Sequence, residues 1–333
     1  METKERPTAG RIAWIDTARG LSMLAILLFH TEMYYAGHDV IGYNLYVCNT
    51  LMAFFFVSGY LFRRGGGIDI RHKIRSILCC IIMPYFIFTT AMALPKALVH
   101  SSSTSFTDIF LNIILGQASW FVTALAVAEI IFTLLIYGAE RYRKPLIVPL
   151  FCLSGLLTAF LCENECLYIW NTNVALMALS YLYLGYLWHR HDARMSRYVN
   201  AKTAVPLFAL LIMIKWYVHS NGTSMLVYPL QISSFPLFLA DTVTSTALLM
   251  TLAKLLPAMR FVTFVGRNSI VYYFLCGGVP LLTAAILNRV GVIYDGNYLK
   301  IVLAFTIVCT LTTAVTWLIM RYVPFVTGRK NTT

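Results

Sequence analysis

Ten windows of predominantly apolar residues follow one another along the chain, each close to the roughly 20 residues a helix needs to cross a bilayer. Their limits are 12–36, 43–62, 77–95, 118–138, 145–162, 172–189, 203–219, 228–253, 264–288 and 298–321. Polar stretches, glycine and proline separate them. The pattern predicts an all-α, polytopic membrane protein of about ten transmembrane helices. The stretch Phe106–Leu115 is too short to span and reads as an interfacial or re-entrant segment. The connections are short and no internal repeat is visible, so one integral domain over residues 1–333 is expected rather than a carrier built from paired halves. Ten mostly polar residues precede the first apolar run, and no small-residue cleavage site follows it, which makes that run an uncleaved first span.

Composition narrows the class. Hydrophobic side chains make up 59% of the 333 residues and charged ones 12%, about half the charged share of a soluble domain. Such a chain cannot cover its own surface with solvated groups, which excludes a soluble enzyme, a disordered tail, a collagen-like fibre and a disulfide-stapled secreted module. An enzyme, a carrier and a channel stay open. The formal charge of +12 is distributed unevenly. Counting charges at span ends with the loops they adjoin, twenty-one Lys and Arg fall on the side of the two termini and three on the other, with Arg19 and Lys215 inside spans. Because cytoplasmic loops carry the positive excess, both termini are expected in the cytoplasm. Topology and contact with anionic membrane lipid account for the basic loops without a nucleic acid partner. The eight cysteines lie mostly in apolar runs and show no zinc spacing. Cys162 and Cys166, in CENEC, bridge one helical turn, join Glu163 and Glu165 around a metal, or do neither; with no histidine nearby, no metal is expected.

Ionisable groups inside spans are costly unless paired or hydrated, so each is a functional candidate. The first span carries Asp16, Arg19 and His30. Arg19 and His30 are eleven positions apart, three turns to within about 20°, which puts both on one face with Cα atoms about 16 Å apart. Asp16 lies one turn below Arg19 and can pair with it, either as part of a site or as a structural ion pair at the boundary. At about 21 Å from His30 it cannot orient that ring. Glu32 points to the other side of the helix.

The segment RIAWIDTARGLSMLAILLFH, with ten residues between Arg19 and His30, resembles the first span of the integral membrane acyltransferase family 3, bacterial enzymes that acylate sugars and related acceptors. FFFVSGYLF (Phe54–Phe62) resembles the family's second-span motif, and the basic stretch Arg71–Arg75 before Pro84 and Tyr85 resembles the entry to its third. Trp120 and Phe121 in WFVTALAVAEI, and VGRNSIVYYFL (Val265–Leu275), are similar to later motifs. The late motif often ends in histidine where this chain has Cys276. The resemblance covers essentially the whole chain.

It implies an enzyme that transfers acyl groups other than amino-acyl groups, with acyl-CoA, expected to be acetyl-CoA, as co-substrate. The acceptor would be a hydroxyl of a sugar, a cell-surface glycan or a lipid-linked sugar, and the protein would sit as a multi-pass enzyme in the inner (plasma) membrane. On that reading Arg19, with Arg63, Arg71 or Arg75, holds the nucleotide phosphates, since a guanidinium keeps its charge and donates paired hydrogen bonds. His30 meets the thioester as general base or as nucleophile. Its orienting acid would be Glu129, with Asp241 as second choice. Ser58, Asn268, Ser269 and Tyr273 either donate hydrogen bonds to substrate or pack between helices. Lys215 is expected to snorkel to the outer surface, and Trp120, Trp170 and Trp216 serve as interfacial belt or sugar platform. The rival class is a multi-span transporter or lipid-linked sugar flippase, whose intramembrane charges couple to ions; it would move its cargo without consuming acyl-CoA.

Overall fold

The computed structural model describes residues 12–62, 68–99, 106–161 and 169–328. These residues are almost wholly helical. In a hydrocarbon solvent no water satisfies the backbone, so each apolar run must close its own hydrogen bonds. Threonine hydroxyls follow the same rule: those of Thr31, Thr133 and Thr242 donate to the carbonyls four residues earlier.

The chain opens with α1 (Ala13–Tyr35) and α2 (Tyr43–Leu61). Next come the short α3 (Ile70–Ile77), one π-helical turn over Leu78–Ile82, and α4 (Met83–Val99). The segment that is too short to span forms α5 (Phe106–Ile114), and its end is held from outside. The Tyr85 hydroxyl donates to the Ile113 carbonyl at 2.6 Å, and the Trp170 indole donates to that of Ile114 at 3.0 Å. Then follow α6 (Trp120–Arg141), α7 (Ile147–Leu161), α8 (Thr172–Arg190), the single turn α9 (Asp192–Met195) and α10 (Ala201–Ser220). A two-stranded hairpin pairs β1 (Met225–Leu226) with β2 (Gln231–Ile232), Met225 opposite Ile232. The chain continues through α11 (Phe235–Leu255), α12 (Arg260–Arg267), α13 (Ser269–Leu275), α14 (Gly278–Arg289) and α15 (Tyr298–Tyr322).

Every one of the ten apolar windows overlaps a helix, but not every helix is by itself a bilayer span. Six among the described residues are long and apolar enough, and seven if α13 and α14, bent by 46° at their junction, count as one. The shortfall has local causes: α1 carries Asp16, Arg19 and Glu32, α7 has only 15 residues, and α8, though 19 residues long, is diluted by Asn173, Ser180, three tyrosines and His189. This is an all-α membrane protein. Its polarity is distributed accordingly: Val205, Phe208, Met213 and Trp216 of α10 face outward, whereas Glu32, Glu129, Asp241 and a series of threonines are buried.

α2 and α8 pack together without side chains between them. A Cβ on Gly59 would run into the Leu182 carbonyl, and one on Gly185 into that of Phe56, so only glycine allows this approach.

Lys215 does not snorkel. Its ammonium points inward and bonds Asp241 Oδ2 at 2.6 Å, the Asn44 carbonyl at 2.8 Å and Asn49 Oδ1 at 3.0 Å. An apolar route to the surface was available, but a carboxylate with no exposed surface needs a cation more than the cation needs water. The pair fastens the peripheral α10 to α2 and α11. Lys215→Ala is expected to cost about 3–5 kcal/mol by leaving that carboxylate uncompensated. Adding Asp241→Ala should recover much of the loss; thermal unfolding in detergent reads both, and a Lys215→Ala protein as stable as the parent would contradict the assignment.

Candidate functional site

The site begins with α1, one continuous helix that carries Arg19 and His30 on the same stripe. Gly20 of α1 and Gly266 of α12 bring the two backbones together, since a Cβ on Gly266 would meet the Asp16 carbonyl. That contact sets the next residue, Arg267, beside Asp16, and its Nε donates to Asp16 Oδ2 at 3.2 Å. Asp16 thus accepts from Arg267, a cation counted above among the charges that set topology.

Beside Arg19 opens a cavity of about 330 Å3. Ser58 of α2, Glu129 of α6, and Ser269 and Tyr273 of α13 join Arg19 in its wall, as do Lys73 and Arg267. Its apolar sides come from Met23, Phe54 and Phe121. The π-helical turn contributes Cys80 and Ile81; such turns recur at functional sites because they shift a helix face out of register.

Glu129 is the centre of the polar wall. It is 7% exposed, takes a hydrogen bond from the Ser58 hydroxyl on Oε1, and pairs through Oε2 with Lys73 Nζ at 2.9 Å. Lys73 also lies over the Phe62 ring, 4.7 Å from its centroid. Asp69 caps α3 by accepting from the His72 amide. Residues 71 and 75 stand one turn apart and 73 points elsewhere, so Arg71 and Arg75 are exposed while Lys73 faces the cavity. Arg63 lies outside the described residues, as do Cys162 and Cys166.

The other expected residues are placed apart from this cavity. His30 is not in its wall: Met23 and Ile26, between it and Arg19 on the same stripe, are buried in the core. The imidazole stacks on Tyr34 with centroids 6.2 Å apart and meets Phe29 edge-on at 5.5 Å. Among the described residues its ring nitrogens make no hydrogen bond. Neither expected orienting acid reaches it, because Glu129 is engaged by Ser58 and Lys73, and Asp241 by Lys215. Glu32 is committed to the amides of Val40 and Ile41 and to the Tyr298 hydroxyl. Asn268 is buried and its amide donates to the Phe264 carbonyl at 3.0 Å. Trp120 stacks on Tyr228 of the hairpin at 5.2 Å, and its neighbour Phe121 enters the cavity wall next to Tyr273.

Arg19, Lys73 and Arg267 around one small cavity, with Glu129 as the internal anion, are a set of groups that could hold a multiply charged anion. Phosphate oxygens suit it, since guanidinium forks and an ammonium bind them by charge-assisted bonds. The cavity is expected to bind inorganic pyrophosphate, with Lys73→Ala weakening binding about tenfold and Glu129→Gln strengthening it about fivefold by removing the competing charge. Titration calorimetry reads both shifts; weaker binding by Glu129→Gln would contradict this account of the carboxylate.

A family model described as an acyltransferase domain matches residues 12–321. No curated protein and no solved structure matches the chain. The match begins just before α1 and ends inside the last turn of α15, and so takes in α1 to α15 and all the residues named above in the cavity wall. The chain therefore belongs to acyltransferase family 3, and it is a membrane acyltransferase.

Proposed function

We propose that this enzyme moves an acyl group, in the first instance acetyl, from cytoplasmic acyl-CoA to a hydroxyl of a sugar, a lipid-linked sugar or a cell-surface glycan. One observation carries the reading: three cations and one carboxylate surround a cavity at the foot of the helix stripe that ends in His30, an imidazole with no protein hydrogen bond among the described residues. The phosphates of the donor would take the place beside Arg19, Lys73 and Arg267. The pantetheine arm would run up the α1 stripe toward His30 about 16 Å away. Met23 and Ile26 stand on that route, and the unbranched thioether of Met23 is the side chain best able to swing aside.

At the far end His30 acts as general base. It takes the proton from the acceptor hydroxyl while the oxygen attacks the thioester carbonyl, the C–S bond breaks, and the imidazolium returns the proton to the departing thiolate. In a covalent variant the imidazole nitrogen attacks the thioester carbonyl first and the C–S bond breaks to release the thiolate; the acyl-imidazole then passes its acyl group to the hydroxyl, whose proton goes to the thiolate. Trp120 stacked on Tyr228 offers a sugar an aromatic face. The charge asymmetry of the loops supports ten spans in one integral domain, both termini in the cytoplasm, and residence in the plasma membrane. The acceptor then arrives from the opposite side to the donor.

With purified protein, labelled acetyl-CoA and candidate glycans, His30→Ala is expected to lower turnover by at least about a hundredfold while pyrophosphate binding at the cavity stays as in the parent. Arg19→Ala is expected to raise KM for the donor about tenfold with a smaller effect on kcat. Full transfer by His30→Ala would remove the histidine from the mechanism.

A further inference from the structure

A second concavity lies on the outer, lipid-facing side of the bundle, between α12 and α15. It encloses about 810 Å3 and is walled by Phe261, Phe264, Phe305, Cys309 and Trp317. Three threonines also line it, but they offer it no free hydroxyl. Thr306 and Thr310 donate to the carbonyls four residues earlier, and Thr313 does so while sharing a 2.7 Å bond with the Tyr272 hydroxyl. The groove therefore presents methyl groups and rings along its length.

Its length and its end give it a direction. From Phe305 to Trp317 the α15 side runs about 18 Å, near the half-thickness of a bilayer's hydrocarbon core, about 15 Å. At the Trp317 end stands Arg260, which lines the groove and has no ion-pair partner among the described residues. One turn past Trp317, Arg321 lies over the Trp317 ring at 5.2 Å and has no acidic partner there either. A surface that is apolar for one leaflet and ends in two uncompensated guanidiniums is complementary to a molecule with a long hydrocarbon chain and a phosphate head.

We propose that this groove is a specific binding site for an anionic glycerophospholipid, one acyl chain lying between α12 and α15 and the phosphate between Arg260 and Arg321. The site is separate from the Arg19 cavity and independent of the acyl-transfer reading. Guanidiniums bind phosphate in any phospholipid, but a zwitterionic head brings its own cation to the same place, so an anionic head is favoured.

The test uses the full chain in nanodiscs with a trace of phosphatidylglycerol bearing a photoactivatable diazirine on its acyl chain. Crosslinked peptides are mapped by mass spectrometry, and the exposed apolar faces of α7 and α10 serve as internal controls. Crosslinks should concentrate on residues 305–317 of α15. Unlabelled phosphatidylglycerol should compete for them more strongly than phosphatidylcholine with the same chains. Arg260→Gln and Arg321→Gln should each reduce them about fivefold without changing the labelling of α7 and α10. Thr310→Trp, which fills the groove from an exposed position, should abolish labelling there while both arginines remain. Labelling spread evenly over α7, α10 and α15, equal competition by the two lipids, or a stable dimer that covers the groove and excludes the probe would each overturn the proposal.

Discussion

The ion pair between Lys73 and Glu129 is the interaction on which the rest of the site depends. Glu129 sits more than two turns inside α6, where an unpaired carboxylate would face a large desolvation cost. Lys73 comes from an eight-residue helix that lies against α6. Their contact, with Ser58 on the second oxygen, ties three helices around one point. The π-helical turn that follows α3 brings Cys80 and Ile81 to the same cavity. Remove the pair and neither the burial of Glu129 nor the inward aim of α3 has a cause.

The second requirement is close approach without side chains. Gly20 against Val262 and Gly266 against Asp16 let α1 and α12 share one surface, and that contact delivers both Arg19 and Arg267 to the cavity. Gly59 and Gly185 do the same for α2 and α8 and hold Ser58 at the depth of Glu129. In lipid there is no hydrophobic gain from bringing two apolar helices together, so packing and internal polar contacts must supply it. The cavity stays open beside such tight contacts because its remaining sides are rings: Phe54 meets Phe121 edge-on at 5.7 Å, and Phe121 leans on Tyr273 at 5.4 Å.

Much of this was legible in the chain because two of its signals are local. Apolar length located a helix in each window, and the eleven-residue spacing put Arg19 and His30 on one stripe. The string FFFVSGYLF carried Ser58 and Gly59 to the site, and VGRNSIVYYFL carried Ser269 and Tyr273. What escaped depends on rotation and on partners far away in the chain. Within the basic stretch after α2 no pattern says which cation turns inward; that depends on where α3 meets Glu129 of α6, and the inward residue is Lys73 rather than Arg71 or Arg75. Arg267 reads as a topological charge until Gly266 is seen to press α12 onto α1. Lys215 reads as a snorkelling lysine until its hydrogen bonds reach Asp241, twenty-six residues on. Apolar length alone recognises six or seven spans among the described residues, and it passes over α1 because the residues that make that helix chemically informative are those that lower its apolarity.

Glu129 also bears on what the cavity can select. Three cations around one cavity in a membrane would be hard to keep without internal anions, and Glu129 answers Lys73 as Asp16 answers Arg267. A ligand with a single negative charge gains little there, since it meets a site whose nearest cation is already answered. An anion with two or more linked charges can compete with Asp16 for Arg267 and with Glu129 for Lys73 while it meets Arg19, because each added contact costs no further loss of translational freedom. On the proposed reading the internal carboxylate would act as a threshold, disfavouring inorganic monoanions and leaving the cavity to extended polyanions such as the nucleotide end of the donor, whose binding would free Glu129 and Ser58 to adjust where the arm enters the stripe toward His30.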